Sequence, residues 1–276
     1  MREVDVNFLN NILFLLYQLD ITNYIAKITF DENRIIIVME IAMLFILLLS
    51  LMPSIGIYYW LSFLKKNDTQ YRSICLKTLK SGLFLCPILI FILSSLCYIP
   101  EMIMKYFGLS NIGIAMYHNY VLFACSEEIV KYLMLKRVIK KNTYSYSLLD
   151  YICLMMIVGL GFGLTEALLY SIGANAGMMI VRGITAMHAG YGFIMGYFIS
   201  KEIQTKNKKY RVMSLLVPIL LHGTYDFCLS NELALVNENL VFISLFLAVV
   251  ALITIVVAIV FVRKNSRKLE YTEKVI

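Results

Sequence analysis

The chain has 276 residues, 60% of them apolar, and a mean hydropathy of +0.77. That is well above the apolar share of a soluble domain and excludes an ordinary water-soluble fold. The net charge of +7 would suit a nucleic-acid partner, but the basic residues sit in short clusters between apolar runs. That pattern excludes a nucleic-acid face and points to membrane topology.

Residues 1–34 are expected to be extracytoplasmic or interfacial. Within them Asn7 to Leu19 is apolar but bracketed by Asp5 and Asp20, too short to span and suited to an interfacial or re-entrant helix. No cleavable signal peptide is expected, because Glu3 and Asp5 stand where a basic region should be. A spanning helix needs about 20 mainly apolar residues. About seven such stretches follow, near 35–63, 79–99, 118–138, 147–171, 175–199, 211–230 and 239–263. The expected fold is therefore all-α: a polytopic transmembrane helical bundle of about seven spans plus the short N-terminal helix. The membrane domain covers 35–263, with its unusual residues in 118–230, and 264–276 forms a tail.

Basic clusters follow alternate stretches: Lys65 and Lys66 after the first, Lys136 to Lys141 after the third, Lys201 to Arg211 after the fifth, and Arg263 to Lys268 after the seventh. By the positive-inside rule the N-terminus is outside and the C-terminus cytoplasmic. The lipid bilayer is then the chain's first partner, and anionic lipid suits the basic ends. The scattered cysteines Cys75, Cys86, Cys97, Cys125, Cys153 and Cys228 form no CxxC pair and suit core packing rather than a zinc finger or disulfide framework. The pairs Gly159/Gly163 and Gly192/Gly196 have the small-xxx-small spacing that lets helices approach closely in lipid.

Polar residues stand out against this background. An ionisable side chain deep in a bilayer costs roughly 2.5–3.5 kcal/mol on insertion scales. The third stretch carries Glu127, Glu128 and Lys131, the fourth Phe162 and Glu166, the fifth Arg182 and His188, and the sixth His222 and Asp226. Four carboxylates imply about 10 kcal/mol before pairing. Lys131 is i,i+4 from Glu127 and i,i+3 from Glu128, so it can neutralise either from one helix face. His222 and Asp226, also i,i+4, present an imidazole and a carboxylate together. With the topology above and 1.5 Å per residue, Glu127, Glu166, His188, His222 and Asp226 fall between the outer interface and the bilayer centre. Arg182 is a counter-ion candidate for Glu166 or Asp226, and His118 is placed at an outer interface.

Each group alone fits a structural ion pair or a packing residue; their shared depth argues for one site. Carboxylates and histidines together suit activation of water, with a glutamate as general base. If zinc binds, Glu166, His188, His222 and Asp226 are the candidate ligands. The sequence holds no HExxH, GxSG or GxGD, which sets aside the usual zincin, rhomboid and presenilin arrangements. A proton- or ion-coupled transporter and a catalytically silent immunity or scaffold protein stay open as alternatives, the first weakened by the lack of an inverted repeat.

Glu127-Glu128-x-x-Lys131 matches EExxK, Phe162-x-x-x-Glu166 matches FxxxE, His188 falls where a further histidine belongs, and His222-x-x-x-Asp226 matches HxxxD. Over about residues 120–230 this ordered set resembles the PrsW family of intramembrane proteases, distantly related to the CAAX prenyl endopeptidases and bacteriocin-immunity membrane proteins. The CAAX-type pattern would have EExxxR and FxxxH, where Lys131 and Glu166 stand here. The resemblance implies a multi-pass protein of the bacterial plasma membrane. It also implies cleavage of a single-pass membrane protein, typically an anti-sigma factor, at the extracytoplasmic side. Catalytic importance is implied for Glu127, Glu128 and His188, with Glu166, His222 and Asp226 supporting or ligating and Lys131 and Arg182 as supporting charges.

Overall fold

The computed structural model describes residues 32–172, 186–229 and 239–273. The N-terminal interfacial helix expected near Asn7–Leu19, and Arg182, lie outside these residues. The chain divides into two compact units, Met1–Phe45 and Ile46–Ile276; the functional groups all belong to the second.

All described elements are helical. In chain order they are α1 (Glu32–Ser62), α2 (Thr69–Lys80), a π segment (Ser81–Leu85), α3 (Cys86–Tyr106), α4 (Asn111–Met116), a second π segment (Tyr117–Cys125), α5 (Ser126–Lys141), α6 (Leu148–Ile172), α7 (Met187–Thr205), α8 (Lys209–Leu229) and α9 (Asn239–Glu273). Local chemistry sets several boundaries. Asp68 caps α2 by accepting from the Tyr71 N–H at 2.8 Å. Ser110 caps α4 through the Gly113 N–H. α9 continues as one helix to Glu273, past the tail boundary expected at residue 264.

This is an all-α, multi-spanning membrane protein. Four described helical stretches are long and apolar enough to cross a bilayer: Leu44–Ser62, Thr69–Tyr106, Leu148–Leu169 and Val249–Ser266. The expected number was about seven. The shortfall falls on the segments that carry the site. α5 opens on two glutamates and ends on Lys140 and Lys141, α7 begins only at Met187, and α8 carries His222 and Asp226 within its apolar run. Placing chemistry in those helices lowers the hydropathy that would mark them as spans.

One helix is central. Of its most apolar window, α6 buries 67% inside the protein, against 17% to 22% for the other three candidates, and Ile152 through Val158 are all buried. By contrast Leu48, Met52, Phe91, Ile99, Phe246 and Val256 are exposed, as lipid-facing side chains should be. Lipid gives helices no hydrophobic reason to associate, so close van der Waals packing must do it. A Cβ on Gly192 would lie 2.6 Å from the Met155 carbonyl oxygen, and one on Gly159 would collide with the His188 carbonyl oxygen. The small-residue spacing thus presses α7 onto α6, as the sequence predicts.

The loops at one end of the bundle are fastened by a polar clasp. Lys65 Nζ lies 2.8 Å from Asp150 Oδ2, and the Tyr144 hydroxyl donates to Asp68 Oδ2 at 2.7 Å. Gln70 donates to the Thr143 carbonyl and Lys77 to Asn142 Oδ1. The chain from α1 to α2 is thereby tied to the chain from α5 to α6.

Candidate active site

The second π segment runs directly into Ser126-Glu127-Glu128. Its wider turn leaves backbone carbonyls poorly served, and Asn119 Nδ2 donates to the Ala115 carbonyl at 2.8 Å. π segments of this kind are frequent at functional sites because they re-aim the residues that follow. Here Glu127, Glu128 and Lys131 all turn inward and are buried.

The start of α7 is also unusual. Ala186 precedes it with φ 43°, the left-handed region that a residue with a Cβ seldom adopts. Helix α7 then begins abruptly, with the Ala189 N–H on the Ala186 carbonyl at 2.8 Å, and His188 enters the bundle in its first turn. From α8, His222 and Asp226 project into the same space, and Glu166 does so from α6.

The distances define one network. Lys131 Nζ lies 3.2 Å from Glu127 Oε2, 2.8 Å from Glu128 Oε1 and 2.9 Å from His188 Nδ1. His188 Nε2 lies 2.6 Å from Glu166 Oε2. His222 Nδ1 lies 3.0 Å from Glu128 Oε1, while its Nε2 lies 3.1 Å from Asp226 Oδ2 and 3.8 Å from Glu127 Oε2. The predicted residues Glu127, Glu128, Lys131, Glu166, His188, His222 and Asp226 are therefore brought together from four helices.

The two histidines are posed alike. Each turns Nδ1 into the cluster and Nε2 toward a carboxylate, Glu166 for His188 and Asp226 for His222. That is the arrangement by which a carboxylate fixes the tautomer and orientation of a metal-ligating imidazole. Glu166 and Asp226, expected among the ligands, stand behind the rings instead. The group able to share one metal ion is Glu127, Glu128, His188 and His222, whose donor atoms lie within 4.8 Å of one another.

Two further observations fit a divalent ion such as zinc. Glu128 Oε2 is buried and has no hydrogen-bond partner among the described residues, an arrangement that is costly unless something completes it. Glu128 Oε1 and His222 Nδ1 are both acceptors when unprotonated. At 3.0 Å they are held together by a proton or a shared cation. Two carboxylates and two imidazoles are ordinary zinc donors.

Aromatic rings wall the site. Phe162 packs edge-on to His188, with centroids 4.9 Å apart, and its ring centroid lies 4.5 Å from Lys131 Nζ. Tyr191 stacks on His222 at 5.0 Å and an interplanar angle of 22°. Tyr191 escaped the sequence reasoning, although its i,i+3 spacing from His188 was a usable signal. A cavity beside Met187, His188, Tyr191, His222 and Tyr225 adjoins both rings.

His118 takes no part in this cluster. It pairs with Glu101 at 2.7 Å, and Lys105 completes that triad at 2.6 Å. Glu101 is buried and also went unnoticed in the sequence, since it lies just beyond the expected second span.

The model for the PrsW family intramembrane metalloproteases matches residues 56–259, most of the chain and all of this network. The chain belongs to the PrsW family. Protease PrsW of Clostridioides difficile is 27% identical over 198 residues, covering 67% of this chain and 79% of that protein. Protease PrsW of Shouchella clausii is 32% identical over 149 residues, covering 51% and 69%. That of Bacillus subtilis is 41% identical over a shorter stretch of 78 residues, 26% and 36%. No solved structure matches the chain. PrsW membership together with the buried metal-capable cluster makes this protein a membrane-embedded peptidase, a hydrolase of the metalloprotease type.

Proposed function

We propose that this peptidase cuts a single-pass membrane protein of the anti-sigma-factor type near the extracytoplasmic face of a bacterial plasma membrane. The observation that carries the proposal is the burial of Glu127, Glu128, His188 and His222 around one set of inward-facing donors. Each of the seven apolar stretches meets a helix, which supports seven crossings, and the basic clusters after alternate stretches support an outside N-terminus and a cytoplasmic C-terminus. In that topology Glu127, Glu166, His188, His222 and Asp226 lie in the outer half of the bilayer, within reach of an extracytoplasmic cut.

Glu128, His188 and His222 would hold the metal, leaving Glu127 as the general base. A bound zinc would supply Lewis-acid polarisation of the scissile carbonyl and acidify a water. Glu127 is the less constrained of the two adjacent acids: its pairing with Lys131 is the longer, at 3.2 Å, and its nearest His222 contact is 3.8 Å. It takes the proton of the attacking water and returns it to the leaving amine. Glu128 stays fixed by two contacts on one oxygen. Glu166 and Asp226 keep the two imidazoles oriented, and the Phe162 and Tyr191 rings limit bulk water.

The test is cleavage of a single-span reporter in membranes carrying wild type, Glu127→Gln or Glu128→Gln at matched abundance. Glu127→Gln should lower cleavage about 10²- to 10⁴-fold, the range for losing a general base, and Glu128→Gln should lower it through weaker metal holding. Chelation should abolish the wild-type activity and zinc restore it. Unchanged processing in both variants sinks the proposal, and loss of an ion flux in the same variants would favour a transporter.

A further inference from the structure

Lys131 is fully buried, and its Nζ bonds Glu127, Glu128 and His188 at 2.8–3.2 Å. These are three of the four residues able to share a metal. An ammonium group carries three N–H donors and no acceptor, so the contacts use all three. The His188 nitrogen that receives one of them offers its lone pair, because Nε2 donates to Glu166. A metal would need that same lone pair. It would also need the same carboxylate charge, and a second cation a few ångströms away in an apolar interior repels it.

We infer that Lys131 is an internal competitor for the metal: its ammonium and a divalent cation occupy the Glu128 and His188 donors alternately. Phe162 gives the displaced ammonium somewhere to go. Its ring centroid is already 4.5 Å from Nζ, and a ring face retains a desolvated cation. Glu166 holds the His188 tautomer the same way whichever cation is present. The phenylalanine and glutamate of the FxxxE motif then act as a pair, one serving the ammonium and the other the imidazole. The EExxK lysine becomes a device that lets two adjacent acids stay buried until metal arrives.

This inference rests on the metalloprotease reading, and zinc binding separates the two. Purified wild type, Lys131→Met and Lys131→Arg are compared by equilibrium dialysis with Zn²⁺ and by thermal denaturation with and without it. Removing the competitor should tighten Zn²⁺ binding in Lys131→Met by about tenfold or more, since a buried charge pair no longer has to break. That variant should also gain more thermal stability from Zn²⁺ than wild type does. Lys131→Arg keeps the charge but grips carboxylates with a planar fork, so it should bind Zn²⁺ more weakly than wild type. A purely long-range charge effect would leave the arginine variant equal to wild type.

Equal affinity in all three proteins, or weaker binding in Lys131→Met, overturns the competition while leaving the metal site standing. Zn²⁺ binding by none of them overturns both. If Lys131→Met fails to fold, Lys131→Arg decides alone, and an affinity at or above wild type overturns the inference.

Discussion

Two of the described charge networks, the loop clasp and the membrane cluster, are built to opposite rules. In the loop clasp each of these groups has a partner, and only Asp150 is fully buried: Lys65 with Asp150, Tyr144 with Asp68, and Asp150 again with the Ser147 N–H. In the membrane cluster the lysine Lys131 faces Glu127 and Glu128, with Glu166 and Asp226 close behind. There one carboxylate oxygen, Glu128 Oε2, is left without a partner among the described residues. The clasp spends its charges on geometry. The cluster carries an excess of acid in a solvent that penalises it, which makes sense only if the excess is used.

The largest test of that contrast is an exchange of phenotypes. Glu127→Gln should lose about 10²- to 10⁴-fold in cleavage with no loss of thermal stability, because a buried charge is removed while Glu128 still neutralises Lys131. Asp150→Asn should do the reverse. It leaves Lys65 without its anion and should cost roughly 1–3 kcal/mol of stability, with cleavage per folded molecule unchanged. A thermal melt and a reporter assay on the two variants check both halves. A destabilised Glu127→Gln or an inactive Asp150→Asn would break the division.

Next in size are the carboxylates behind the rings. Glu166→Gln and Asp226→Asn keep the shape of the side chain but lose the anion that orients each imidazole. Removing such partners typically costs 10- to 100-fold, roughly, in metal affinity or activity. Zinc titration of each variant measures this, and a wild-type affinity in both would return Glu166 and Asp226 to the role of packing groups.

The sequence could show what lies along one helix. Glu127, Glu128 and Lys131 are neighbours by i,i+3 and i,i+4 spacing, as are His222 and Asp226, so their pairing was legible before any coordinates. The pairs that cross between helices were not. Nothing in the spacing says that Lys131 meets His188, or that Glu166 does. Nor does it say that Asp226 stands behind an imidazole rather than beside it as a ligand. The Glu101–His118 pair was missed for the same reason. The span count agrees only in part, for a different reason: hydropathy falls wherever function requires polar residues, so four described helical stretches pass as spans and α5, α7 and α8 do not.

Close packing connects the two halves of the contrast. A Cβ on Gly159 would collide with the carbonyl oxygen of His188 itself, and backbone atoms on both sides leave nothing flexible to move. Gly159→Ala should cost about 1–3 kcal/mol by overpacking and lower cleavage as well, since the displaced residue is His188. Gly163→Ala, whose added Cβ would meet the His188 ring edge at 3.3 Å, should be milder in both readouts. Equal effects from the two alanines would mean that the α6–α7 contact is looser than these distances.

The smallest expected effect is a pH dependence confined to the clasp. Burial alone would raise the Asp68 carboxyl, but the Tyr144 hydroxyl, the Tyr71 N–H and the Lys65 charge outweigh it and hold the group below its ordinary value. Burial would lower Lys65, and its bond to Asp150 outweighs that and holds it above its ordinary value. Burial and the bond to Asp68 push the Tyr144 hydroxyl up to about 12. A depressed carboxyl contributes stability above its unfolded value near 3.9, roughly, and loses it as pH falls through the folded value. A raised lysine contributes below its unfolded value near 10.4, roughly, and loses it as pH rises through the folded one. The clasp should therefore be at full strength from about pH 5 to about pH 9 and weaken on both sides. Thermal melts of wild type and Asp68→Asn across that range check this. The variant should be less stable by a near-constant amount in the window, and the gap should start to narrow below about pH 4 and close once pH falls below the depressed folded value, where the carboxyl of the wild type is also protonated. A gap that persisted into acid would place the contribution of Asp68 in its N-cap geometry rather than in its charge.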